Sequence, residues 1–212
     1  MRRLEVVALV LLSVGVSSAW GSVTIYSNLG PGDTYDTLVH GIMGPPWGGI
    51  SYAIPLSFTA SGDLILEQVE VAVSLKEGDN QINVAIMTDV GNLPGAVIES
   101  WSLVGAMGLF GTNPPLVVAT SVVQPALSPG TQYWLAVSAT GATWAYWHQN
   151  ITGDVGLIAY TMSSGPWQTG GGYRGAARVT GSPIVPAPGA ISLVLIGLGA
   201  LRLRRHRRQS AA

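Results

Sequence analysis

The 212-residue chain contains no cysteine. This excludes disulfides, thiolate zinc sites, a cysteine nucleophile and a lipid anchor on cysteine, and it leaves stability to the core alone. Charge is scarce as well, at 10% of residues. Neither apolar stretch at the chain ends (6–16 and 189–201) reaches the roughly 20 residues that a membrane-spanning helix needs. The catalytic vocabulary is thin. Between residues 20 and 182 there are two histidines, His40 and His148, with no Gly-x-Ser-x-Gly elbow and no His-Glu-x-x-His. Glu67 and Glu70 are three apart along an extended stretch, so they face opposite sides and do not pair as acid and base. Gly170–Arg174 is glycine-rich but lacks the strand-to-helix setting of a phosphate loop. These absences point away from an enzyme. No internal repeat is present.

What is present is unevenly distributed. The net charge of −1 averages an acidic middle with a basic end. Residues 20–182 hold ten acidic side chains against Lys76, Arg174 and Arg178, for a net −7, whereas five of the ten basic residues follow Leu201. So acidic a segment is a poor partner for nucleic acid, whose phosphates need Lys and Arg. Glycine (28) and proline (13) are abundant, which suits strands and turns better than a helical bundle.

The two ends read as sorting signals. Arg2 and Arg3 precede the apolar residues 6–16, and Ser17-Ser18-Ala19 places small residues where a signal peptidase cuts, so 1–19 is expected to be a signal peptide. At the other end, Val185-Pro186-Ala187-Pro188 leads into the apolar stretch 189–201 and then Arg202, Arg204, Arg205, Arg207 and Arg208. Thirteen residues span only about 20 Å as a helix, short of a bilayer core of about 30 Å. Positive charge stays on the cytoplasmic side, which turns the body of the protein outward. This tail resembles the PEP-CTERM sorting signal, with its Pro-x-Pro motif, short transmembrane stretch and basic terminus. Here Ala187 stands where that motif has Glu. The resemblance covers about residues 184–208. It implies an exported bacterial protein, membrane-anchored until an exosortase-like enzyme processes the tail, in a bacterium that makes extracellular polysaccharide. The expected organisation is a signal peptide (1–19), an ectodomain (20–182), a linker with the Pro-x-Pro motif (183–188) and a sorting or anchor segment (189–208).

Period-2 alternation recurs through the middle. Ile50, Tyr52, Ile54, Leu56 and Phe58 alternate with Ser51, Ala53 and Ser57. Val69, Val71, Val73 and Leu75 alternate with Glu70, Ala72, Ser74 and Lys76; Ile82, Val84 and Ile86 with Asn83, Ala85 and Met87; Tyr133, Leu135 and Val137 with Trp134, Ala136 and Ser138. These are strands with one buried face. Turn signals separate the strands, among them Glu77-Gly78-Asp79-Asn80, Ser128-Pro129-Gly130, Gly153-Asp154 and Gly170-Gly171-Gly172, while 41–49 reads as an irregular loop. The pattern predicts an all-β fold: an antiparallel β-sandwich, in jelly-roll form, of about ten strands. Leu127-Ser128-Pro129-Gly130-Thr131-Gln132-Tyr133 resembles the tyrosine corner of fibronectin type III and related sandwiches, in which Leu127, Pro129 and Gly130 turn the chain between sheets and Tyr133 packs inward. The spacing from Phe58-Thr59-Ala60 through Leu127–Val137 is similar to that of choice-of-anchor domains, R type, of bacterial surface proteins. That resemblance implies an adhesive or structural role.

Aromatic side chains supply the candidate site. Trp144 and Tyr146 share a face with His148, while Trp147 points the other way. Trp47, Trp167 and Tyr173 lie in or beside glycine-rich segments and are the candidate glycan contacts, since exposed rings stack on sugars; Gln149, Asn150, Asp154 and Gln168 are candidates for sugar hydroxyls. Core filling accounts for the same aromatics equally simply. Asp79 and Asn80, or Asp33 and Asp36, offer oxygen ligands of the kind Ca²⁺ takes, but without EF-hand spacing, and turn formation explains them without a metal. No cofactor is expected. Asn150-Ile151-Thr152 matches a glycosylation sequon. The function read here is that of an exported, non-catalytic surface or matrix protein associating with extracellular polysaccharide; the alternative is a structural or protein-adhesion module without a glycan site.

Overall fold

Valine, isoleucine and alternating small polar residues fill the runs between the Gly and Pro breaks, and these runs pair as strands. A computed structural model describes residues 21–44, 50–56, 62–163 and 165–184. Residues 1–19, expected to be a signal peptide, Trp47, Phe58-Thr59-Ala60, Val185-Pro186-Ala187-Pro188 and the arginines after Leu201 lie outside the described residues. Gly21–Ile184 forms one compact unit. It is all-β, with no helix among the described residues and antiparallel sheets apart from one short parallel pair. Among those residues no helix is long and apolar enough to cross a membrane.

The described residues form three sheets. In the first, β1 (Val23–Ser27), β15 (Ala177–Pro183) and β4 (Leu64–Val71) lie side by side, and β9 (Val117–Thr120) and β10 (Ala126–Leu127) both pair with the far edge of β4. The second runs β14 (Gln168–Tyr173), β13 (Val155–Thr161), β3 (Ser51–Leu56), β11 (Tyr133–Ala139), β6 (Gln81–Asp89) and β7 (Pro94–Val104). The third runs β2 (Asp36–Met43), β12 (Trp144–Gln149), β5 (Val73–Glu77) and β8 (Gly108–Leu109). The first and third meet at Ala72, whose N–H donates to Ala176 O (3.0 Å) and whose carbonyl accepts from His148 N–H (2.9 Å). One apolar core draws on all three sheets, through residues such as Leu66, Val69 and Val179, then Ile54, Val84 and Leu135, then Met43, Val73 and Trp147.

The fifteen strands among the described residues exceed the expected ten or so. The run 64–77 breaks at Ala72 into two strands in different sheets, and β8 and β10 are two residues each. Gly41–Met43 belongs to a strand rather than a loop, and Gly170–Gly172 lies mid-strand in β14 rather than in a turn. Burial also departs from simple alternation. Glu70, Ala72 and Ser74 are buried along with the valines between them, because Arg178 covers Glu70 and His148 Nε2 meets the Ser74 hydroxyl at 2.8 Å. Trp134 and Ala136 are buried opposite Leu135 because a second, smaller apolar cluster covers the outer face of the six-stranded sheet. At 127–133 the chain passes from the first sheet to the second. Gly130 takes a left-handed φ of 73°, and the buried Tyr133 accepts a hydrogen bond at its hydroxyl from Ser128 N–H at 3.0 Å.

Two carboxylates tie edges together. Glu99, 5% exposed, accepts from the Ser121 hydroxyl (2.6 Å) and from the N–H groups of Val122 (2.7 Å) and Val123 (3.0 Å). Asp89 accepts from Trp134 Nε1 and Gln132 Nε2, both at 2.7 Å. Burial alone would raise both acids, but these hydrogen bonds together outweigh it and hold both below their ordinary values. A pKa lowered on folding contributes stability above the ordinary carboxylate range, and that stability is lost as pH falls through the depressed values. The urea midpoint should therefore drop between pH 7 and pH 3. The double variant Asp89→Asn, Glu99→Gln should be less stable at pH 7 and show a flatter pH profile. An unchanged slope in the variant would assign the acid sensitivity to other groups.

Candidate functional site

The outer face of the six-stranded sheet carries a groove of about 410 Å³. Its floor follows from register, because directly paired residues share a face. One row crosses five strands as Thr161, Ser51, Ser138, Asn83 and Ser102, through the pairs Thr161↔Ser51, Ser51↔Ser138, Ser138↔Asn83 and Asn83↔Ser102. The next row places Ala136 beside Ala85 and ends at Ser100. The third places Trp134 beside Met87, and Met87 beside Val97. The alanine row lies between a polar row and a bulkier apolar one, which makes a trough. At a strand spacing of about 4.8 Å, the polar row extends for roughly 19 Å.

Trp167 stands at one end of this trough. The connection between β13 and β14 is held by Thr161 Oγ1 donating to Gly165 O (2.6 Å) and by Gly165 N–H donating to Met162 O (2.9 Å). Trp167 lies one step beyond the pair Tyr160↔Gln168, opposite Thr161, and packs half-buried on the cluster of Met87, Trp134, Ala136 and Ala159. The ring is thus fixed from below and open from above. Within the row, Ser102 donates to Asn83 Oδ1 at 2.8 Å, which orients that amide. Among the described residues none of those lining the groove is ionisable.

Tyr173 lies elsewhere. It sits at the other end of β14, roughly 20 Å from Trp167 at about 3.3 Å per residue. It is 54% exposed, at the rim of a second cleft of about 210 Å³ lined by Tyr52, Ile54, Trp147 and Ile158. Ile54 and Trp147 are core residues, so this cleft is a shallow opening into the interior. Burial, and then the neighbouring Tyr160, push the Tyr52 hydroxyl up. The structure therefore does not bring Trp167 and Tyr173 into one platform.

Of the other aromatic side chains considered, Trp147, Tyr146 and His148 are structural. Trp147 faces the core and donates from Nε1 to Ala176 O at 3.1 Å. Tyr146 and His148, on the opposite face of β12, are covered by Phe110, which meets Tyr146 edge-on at 4.6 Å and stacks on His148 at 6.0 Å. Lys76 Nζ lies 5.6 Å from the Phe110 ring and 6.0 Å from the Trp144 ring.

Two of the expected hydroxyl partners are fully engaged. Asn150 is buried; its Nδ2 donates to Asp154 O and Arg174 O, both at 2.8 Å, and its Oδ1 accepts from Asp154 N–H (2.8 Å) and Thr152 Oγ1 (3.0 Å). Asp154 accepts from Tyr26 Oη (2.8 Å), Asn28 Nδ2 (3.2 Å) and Arg174 Nη1 (3.1 Å). Both residues hold the fold together, so neither is available to a sugar, and the sequon amide is inaccessible in the folded chain. The proposed calcium residues are likewise engaged in structure. Asp79 accepts from Ala142 N–H (2.9 Å), Asn80 exchanges two bonds with the Met107 backbone (2.9 and 3.1 Å), Asp33 pairs with Arg178, and Asp36 caps Leu38 N–H (2.8 Å). Among the described residues no three His, Asp or Glu gather as they would around a metal ion.

The row Thr161-Ser51-Ser138-Asn83-Ser102 escaped the sequence reading. Three of its strands were legible as alternating runs with Ser51, Asn83 and Ser138 on the outward face. Their alignment depends on pairings between distant segments, which periodicity does not encode. No family model matches the chain, and no curated protein matches it.

Proposed function

We propose that this chain is an exported, non-catalytic bacterial surface or matrix protein whose ectodomain, a jelly-roll β-sandwich, associates with extracellular polysaccharide. The tail is read as a PEP-CTERM-like sorting signal, acted on by an exosortase-like enzyme and membrane-anchored before processing. The observation that carries the binding proposal is the groove with the half-buried Trp167 at its end. A fixed aromatic face and a row of hydroxyl and amide groups are what a sugar chain needs: a surface for its C–H faces and partners for its hydroxyls. The groove has no pair of carboxylates to serve as acid and base among its described lining residues, which favours binding over hydrolysis. Calcium has no part in this reading.

The structural or adhesion alternative draws on β14. Among the described residues this strand pairs only with β13, and its Gln168-Thr169-Gly170-Gly171-Gly172-Tyr173 sequence carries none of the Lys or Pro that blunt an open edge.

Retention of the full chain, extracted in mild detergent, on gels carrying the producing bacterium's exopolysaccharide separates the two. Retention indifferent to chelator is expected. Mobility equal to that in plain gel would favour the alternative. An intact-mass spectrum of the exported protein is expected to lack Arg202–Arg208, and a mass that retains them would reject tail processing.

A further inference from the structure

We infer that the groove takes the interior of an uncharged polysaccharide chain. This rests on the polysaccharide reading above and narrows it to a ligand class.

The first ground is charge. The groove offers Ser51, Ser138, Ser102, Asn83 and Trp167, all neutral. A uronate, sulfate or phosphate on the ligand would find no cation there. Nor is one available nearby, because all three cations of the ectodomain are engaged. Arg174 pairs with Asp154 at 3.1 Å. Arg178 is shared between Glu70 and Asp33, and these carboxylates, Glu70 first, push its guanidinium still higher. Lys76 lies over the Phe110 and Trp144 rings. With ten acidic residues against these three, the surrounding field repels a polyanion. A neutral chain meets no such penalty, and its hydroxyls pair with serine and asparagine without desolvating an ion.

The second ground is geometry. The polar row runs across the strands, so it repeats at the strand spacing of about 4.8 Å. That is close to the length of one pyranose unit in an extended chain, so successive sugars meet successive strands. At the far end from Trp167, the row reaches β7, the edge strand of the sheet, where Ser100 and Ser102 are exposed. Among the described residues no further strand closes the trough there, so a chain can continue past it. A site of this form binds a segment of several sugars rather than a chain end.

The test uses the full chain in mild detergent and the bacterium's exopolysaccharide, separated by anion exchange into neutral and acidic fractions. Affinity gels are run at low salt and at 0.5 M NaCl. The expected result is retention by the neutral fraction, unchanged by salt, with oligosaccharides of that fraction competing at least tenfold better than its monosaccharides. Ser138→Glu, a charge placed mid-row, is expected to weaken retention at least tenfold. Ser102→Ala, an exposed truncation that leaves the sheet intact, is expected to weaken it severalfold. Retention by the acidic fraction alone would overturn the inference while leaving polysaccharide association standing. Retention by neither fraction would overturn both. Monosaccharide competing as well as oligosaccharide would overturn the chain-interior geometry.

Discussion

Trp167→Ala is expected to weaken retention on exopolysaccharide by at least tenfold, equivalent to about 1.4 kcal/mol of binding. A single aromatic platform contributes a large share of the apolar contact in a shallow polar groove, because the hydroxyl row largely exchanges water hydrogen bonds for sugar hydrogen bonds. The ring is held in place by Met87, Trp134, Ala136 and Ala159, so little of its stacking energy is lost to ordering. The same packing means that the alanine variant also loses some stability, so its fold must be checked by near-ultraviolet circular dichroism. Trp167→Phe supplies a smaller ring in the same place and should recover part of the retention. Tyr173→Ala serves as the positional control. If it abolishes retention while Trp167→Ala does not, the sugar lies in the smaller cleft beside Trp147.

The local consequences of sequence were legible where one side chain or one turn decides the outcome. Leu127-Ser128-Pro129-Gly130 read as a crossing between sheets, and Gly130 takes the left-handed φ that such a turn uses. Ile82, Val84 and Ile86 read as a buried face, and they are buried. Reading failed where burial depends on what covers the second face. Glu70 and Ser74 looked solvent-facing, but Arg178, more than a hundred residues later, and His148 close over them. Gly170–Gly172 looked like a turn because glycine is intrinsically weak in strands, yet six consecutive pairs with β13 keep 168–173 extended. The candidate site divides in the same way. Trp167 was identifiable as an aromatic beside glycines. The alanines that give the trough its depth are Ala85 and Ala136, about fifty residues apart and aligned only by sheet register.

The second large effect concerns stability. Asp154→Ala is expected to cost about 3 kcal/mol, or roughly 6–12 °C in Tm for a unit of this size. The carboxylate draws together the Tyr26 hydroxyl and the Asn28 amide, two residues apart near the start of the ectodomain, and the Arg174 guanidinium, nearly 150 residues later. Burial first, and then the bond to Asp154, push the Tyr26 hydroxyl up, so its proton stays in place to donate. Asn28 extends the junction: it also donates to Gly175 O (3.1 Å) and accepts from Ala177 N–H (2.8 Å). Asn150 bonds the backbones of Asp154 and Arg174 from the other side. In a chain without disulfides this polar junction fastens β1 and the turn after β12 to the start of β15. Removing the carboxylate leaves a buried amide and a half-buried guanidinium short of partners, and such losses cost more than the bonds themselves contribute. Asp154→Asn keeps an acceptor for Tyr26 and should lose less than half as much. Because Asp154 serves the fold rather than the sugar, Asp154→Asn should keep full retention on exopolysaccharide at temperatures below its lowered midpoint. Loss of retention in a folded Asp154→Asn protein would return this carboxylate to the ligand site, and a midpoint change under about 1 °C for Asp154→Ala would remove the junction from the account of stability.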